Sequence, residues 1–134
     1  GKGTYANWLA ESNARTLAFA MIETRQAVDA LDEILAVPGI DAIFVGPGDF
    51  SIAWTEGKTI NATLEDMMEA IASICGRVRK AGKFAAIYVT DTAYAGRFAA
   101  MGFQMLATGS EGQLLAKGSA GLLAEISTSL DERR

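Results

Sequence analysis

Apolar residues fall along this chain in two alternating rhythms. A continuous apolar run at residues 16–22 suits a strand buried within a parallel sheet, and shorter, mostly apolar stretches at 41–45, 84–89 and 103–107 read as further strands. Between them, apolar positions recur at helical spacing. After Thr24 these are Ala27, Val28, Leu31, Ile34 and Leu35, opposite Asp29, Asp32 and Glu33, and Pro38-Gly39 stops the helix. Residues 63–81 repeat the pattern with Leu64, Met67, Met68, Ile71, Ile74 and Val78. Thr90-Asp91 opens a helix that ends at Gly102, and Gly109-Ser110 opens another through Leu114, Leu115, Leu122, Leu123 and Ile126. A short helix over residues 5–14 carries Trp8 and Leu9. Residues 1–4 read as loop, 51–60 as a polar irregular loop holding Trp54, and 131–134 as a solvated tail.

Strand and helix alternate four times, which implies a parallel sheet with helical crossovers. Two architectures fit: a small doubly wound sheet, or half of an eight-stranded barrel. Every strand ends in a polar or glycine residue, namely Glu23, Gly46, Thr90 and Gly109, and both architectures place function at those ends. No GxGxxG or P-loop pattern follows a strand, so a nucleotide site lacks support. The most distinctive stretch is Ile43-Phe44-Val45-Gly46-Pro47-Gly48-Asp49-Phe50-Ser51. Its glycines let backbone approach a ligand closely, and Asp49 arrives at the sheet rim beside free N–H groups. That arrangement suits a metal or a carboxylate. It also suits an ordinary strand-to-helix turn with Asp49 as N-cap.

Composition narrows the chemistry. The 134 residues suit one domain, 1–134, and half of them are hydrophobic. The net charge of −4 comes from interspersed acids and bases, so no basic face invites nucleic acid. No run is long enough to span a membrane, and no signal peptide is recognisable. The single Cys75 lies in an amphipathic stretch, which fits a core residue in a reduced, cytoplasmic compartment. There is no histidine, which removes Ser-His-Asp and Cys-His mechanisms and His-based metal sites from these residues.

Several motifs then follow in close order: Met21-Ile22-Glu23-Thr24-Arg25, Asp32-Glu33-Ile34, Val37-Pro38-Gly39-Ile40-Asp41, and Phe44 to Ser51. Ala81-Gly82-Lys83, Gly102-Phe103 and Leu114-Leu115 continue the series. Together they resemble the metal-dependent (class II) pyruvate aldolases of the 4-hydroxy-2-oxoheptanedioate and 2-dehydro-3-deoxyglucarate aldolase family. That family is a (β/α)₈ barrel of about 250 residues, so the resemblance implies an α/β fold comprising the last four βα units, with parallel strands.

The resemblance implies Glu23 and Asp49 as the protein ligands of Mg²⁺ or Mn²⁺. Two carboxylates at neighbouring strand ends, with water and substrate oxygens, suit such a hard cation. It further implies that pyruvate chelates the metal and places its carboxylate on N–H groups of the Gly46 turn, here Gly48 and Asp49. The metal would stabilise the enolate left by C–C cleavage. Tyr88, on the strand face of Ala86 and Thr90, would line the aldehyde pocket if that face points inward. Phe50 and Trp54 would cover the site or pack against another subunit, and Lys83 is left as a surface residue. Two departures matter. Met21 stands where the family usually has a glutamine. The family's histidine-centred base and its substrate arginine belong to the first half of the barrel, so no catalytic residue is expected in this chain. The implied partners are pyruvate, an aldehyde or 2-oxo acid, and either further copies in a homo-oligomer or the N-terminal half-barrel. Oxaloacetate decarboxylation, and a non-catalytic half-barrel acting by association, are the alternatives.

Overall fold

The two rhythms become a layered α/β unit in the expected order. The computed structural model describes residues 5–131. The loop expected at residues 1–4 and the end of the charged tail, 132–134, lie outside the described residues. The elements are α1 (Tyr5–Arg15), β1 (Phe19–Ile22), α2 (Arg25–Asp29), α3 (Leu31–Ala36), β2 (Ala42–Val45), α4 (Pro47–Trp54), α5 (Met68–Lys80), β3 (Phe84–Tyr88), α6 (Ala95–Met101), β4 (Met105–Ala107) and α7 (Glu111–Asp131). Short 3₁₀ turns, Glu65–Met67 and Thr92–Tyr94, lead into α5 and α6. Among the described residues, no helix is long and apolar enough to cross a membrane.

The strands form one sheet in the order β1-β2-β3-β4, all parallel. Ile22, Val45, Ile87 and Leu106 come level across it. Side chains alternate between its faces. Ile22, Ile43, Val45, Ala85, Ile87 and Val89 point to the helices. There they pack in one core with Leu31, Phe50, Met67, Ile71, Ile74, Val78 and Phe98. The opposite face carries Phe19, Ala42 and Phe84 in one row and Met21, Phe44, Ala86 and Met105 in the next. Among the described residues its larger side chains are open, Met21 53% exposed, Phe84 58% and Met105 47%, whereas the small Ala42 and Ala86 are buried. The expectation that residues 16–22 form a strand buried on both faces is therefore corrected. β1 is a shorter edge strand, with Phe19 and Met21 exposed on one face and Ile22 buried on the other.

Other local expectations also shift. The helix after Thr24 is two helices broken at Ala30, although Thr24 caps it as expected, accepting from the Ala27 N–H at 3.1 Å. The loop expected at 51–60 is helical to Trp54, since Pro47 presets the first helical φ and Asp49 favours the positive end of the helix dipole. Asp49 is consequently inside the first turn; Gly46 occupies the N-cap, with no side-chain cap. Met67 and Met68 are core, and Phe50 is buried as well. The α7 leucines, expected at the core or at an interface, are exposed. Ser110 and Gln113 close a capping box at the start of that helix, at 3.1 and 3.3 Å.

Cys75 is wholly buried on α5, below the left-handed Gly102 that ends α6 (φ 104°). Burial pushes its thiol up, against a smaller opposing pull from Arg79. Thiolate is the reactive form, so a disulfide reagent at pH 8 should label the folded protein far more slowly than the urea-unfolded chain. Equal rates would show that α5 and α6 do not close over this sulfur. The linked sign is loss of stability with rising pH. The unfolded chain begins to ionise near the ordinary thiol value while the folded one still holds its proton.

Candidate metal centre

The polar ends of the strands gather at one rim. Glu23 follows β1, Gly46 follows β2, Tyr88 ends β3, and Thr108 follows β4, donating its hydroxyl to the Val89 carbonyl at 2.7 Å. By alternation Glu23 and Tyr88 share the open face with Met21 and Ala86. One step beyond the Ile22–Val45 and Val45–Ile87 pairs, Glu23, Gly46 and Tyr88 come level.

The tightest approach in this row is between Glu23 and Gly46. A Cβ added at Gly46 would stand 2.8 Å from Glu23 Oε2 and 3.9 Å from its Cδ. The Glu23 carboxylate thus lies over the Gly46 backbone, in space that any other residue would occupy. The Gly46 N–H meets the Ile22 carbonyl at 3.4 Å, continuing the sheet by one bond. Pro47 then starts α4, whose first hydrogen bond runs from the Phe50 N–H to the Gly46 carbonyl at 2.9 Å. Gly48 and Asp49 precede that bond, and the first N–H groups of a helix have no partner within it. Asp49 is exposed in this first turn, whereas Glu23, Gly46 and Tyr88 are half-buried. Among the described residues, no group of three or more His, Cys, Asp or Glu is placed to hold a metal. Glu23 follows β1 and Asp49 lies in the first turn of α4, which follows β2.

Two supports have partners that the sequence did not reveal. Ser51 is wholly buried, donates its hydroxyl to the Gly48 carbonyl at 2.6 Å and accepts from the Asn61 N–H at 2.8 Å. It pins the turn to the loop after α4. Its position two residues past Asp49 was visible, but its partner ten residues on was not. Arg25 donates through Nη2 to the Trp54 carbonyl at 2.7 Å and lies 4.3 Å above that ring. Trp54 leans on Phe50, with ring centroids 5.6 Å apart. These two aromatics therefore buttress α4. Lys83 is at the far end of the strands, where its ammonium bonds the Ile40 and Val37 carbonyls.

This architecture has relatives. A hydroxypyruvate/pyruvate aldolase from Roseovarius nubinhibens is 36% identical over 119 residues, covering 89% of this chain and 46% of the relative. A 5-keto-4-deoxy-D-glucarate aldolase from Shigella dysenteriae is 38% identical over 109 residues, covering 81% and 42%. The crystal structure of an HpcH/HpaI aldolase/citrate lyase family protein from Burkholderia cenocepacia superposes with a TM-score of 0.78. Its identity is 26%, over 93% of this chain and 48% of that one. The chain spans about half the length of these relatives, and the part it matches is their C-terminal half. Its solved neighbours are TIM barrels, so the open sheet corresponds to half of such a barrel. The family described as HpcH/HpaI aldolase/citrate lyase matches residues 3–118, and the chain belongs to that family.

Proposed function

We propose that this chain supplies the metal platform of a divalent-metal-dependent aldolase, one that cleaves a 4-hydroxy-2-oxo acid to pyruvate and an aldehyde. The observation that carries the reading is the Glu23 carboxylate laid over Gly46, on the turn that leads into Asp49. The donor set fits Mg²⁺ or Mn²⁺: two hard carboxylates, with positions left for water and substrate oxygens. The missing Cβ at Gly46 leaves Glu23 the room to take up that place. When bound, the cation supplies Lewis-acid stabilisation of the negative charge that C–C cleavage leaves on the 2-oxo acid.

The chain's own residues divide the remaining work. Glu23 and Asp49 hold the cation. The Gly48 and Asp49 N–H groups, free of helical partners and at the positive end of α4, receive the substrate carboxylate. Tyr88, level with Gly46 on the open face, borders the aldehyde side. Lys83 is bonded to carbonyls at the opposite end of the strands, so a lysine Schiff base has no support here. With no histidine in the chain, proton transfer falls to groups on the other half of the barrel.

Titration with Mn²⁺ tests the platform. Binding should be weak, because water fills several coordination positions. Glu23→Gln should weaken it by more than about 10-fold, the lower end of what the loss of a mere outer-shell partner costs. Gly46→Ala, whose methyl displaces the carboxylate, should weaken it as well while leaving the fold intact. Unchanged affinity in Glu23→Gln would overturn the assignment.

A further inference from the structure

We infer that Arg25 is a positioning residue for the metal pair, an assignment that rests on reading Glu23 and Asp49 as the ligands. Each carboxylate lies within a segment tied at both ends to the other segment. Before Glu23, the Ile22 carbonyl accepts from the Gly46 N–H at 3.4 Å. After it, Arg25 donates to the Trp54 carbonyl at 2.7 Å. Asp49 lies between the other members of these same two links, Gly46 and Trp54. The frame has two bonds and one ligand in the middle of each side. Without the Arg25 bond, α4 keeps Phe50 and Ser51 buried, but the segment carrying Asp49 loses its second tie to the segment carrying Glu23.

The link is well made for this purpose. Trp54 ends α4, where carbonyls have no helical partner and a cation is favoured. The Trp54 ring lies under the guanidinium at 4.3 Å and holds it in place, and Phe50 anchors that ring to the core. Arg25 itself is exposed, so the bond is not there to satisfy a buried charge. Next to a divalent cation, an arginine has an unfavourable Coulomb effect. If Arg25 acted through charge alone, neutralising it would tighten metal binding. A positioning role gives the opposite sign.

The experiment measures Mn²⁺ affinity by electron paramagnetic resonance, together with melting temperature, for the 134-residue chain and its variants. Arg25→Met is expected to bind about 10-fold more weakly, with melting little changed. Arg25→Lys, which keeps one donor for the Trp54 carbonyl, is expected to recover most of the loss. Affinity equal to or tighter than the parent in Arg25→Met would overturn the inference, and so would a failure of Arg25→Lys to recover. If Arg25→Met does not fold, Trp54→Leu replaces it. That variant keeps the carbonyl but removes the platform, and it too should bind more weakly; parent-like affinity would overturn the inference. Glu23→Gln separates the two levels. Parent-like binding there removes the metal reading and Arg25's role with it, whereas lost binding in Glu23→Gln beside intact binding in Arg25→Met removes the Arg25 inference alone.

Discussion

The 134 residues on their own should release pyruvate from a 4-hydroxy-2-oxo acid roughly 10²–10⁴-fold more slowly than the same residues combined with the first four βα units of the barrel. That range is what positioned acid–base groups typically contribute. The chain contains no histidine. At the strand ends Glu23 and Asp49 are both proposed to hold the metal and are therefore unavailable as bases, and Asp91 caps the turn that leads into α6. The measurement is pyruvate release at saturating Mn²⁺, with and without the complementary half-barrel. The protein's mass must exclude a full-length contaminant. Robust turnover by the chain alone would show that the chain carries its own base. No gain on complementation, in a complex shown to form, would remove the proposed division of labour.

Much of this was legible because it depends on short-range pattern. The four strands, the Thr24 and Asp91 caps and the Gly102 stop all follow from residues within a few positions of each other. So does the position of Glu23 and Asp49 at the sheet rim. What misled was anything settled by the far side of a layer. The run at 16–22 is apolar enough for a strand covered on both faces, yet one face of β1 is open. Hydrophobicity alone does not record which face of a strand is covered, or by what. The loop expected after Ser51 failed for a local reason: the polar and glycine residues from Thr55 onward outweighed the helix-start signal of Pro47 and Asp49. The Arg25–Trp54 and Ser51–Asn61 links were illegible altogether. The first joins residues that come together only once β1 and β2 are paired, and the second depends on how the loop after α4 folds back on that helix.

The same open face sets the second expectation, that the chain is not a monomer at micromolar concentration. β1 and β4 are the edges of the sheet, and each presents a row of N–H and C=O groups able to pair with a further parallel strand. Between them Phe19, Met21, Phe84 and Met105 face outward with large exposed areas. Along α7, Leu114, Leu115, Leu122, Leu123, Ile126 and Leu130 are exposed as well. Leaving such side chains wet forgoes roughly 1.5–3 kcal/mol each, and a whole domain is stable by only about 5–15 kcal/mol. A handful of them therefore decides whether the isolated unit persists. Two copies related by a two-fold axis along the strands would bring β4 of one beside β1 of the other and close eight strands into a barrel. The complementary half would close it in the same way and should displace the second copy when supplied. Sedimentation equilibrium distinguishes these states. The isolated chain should run as a dimer or larger, and mixing with the other half should yield a one-to-one complex. Met21→Lys and Phe84→Lys on the open face should shift the isolated chain toward monomer, because two charges would then have to be buried on pairing. A sharply melting monomer of the parent sequence would mean that the four strands cover their own inner face in solution, and the half-barrel description would fall.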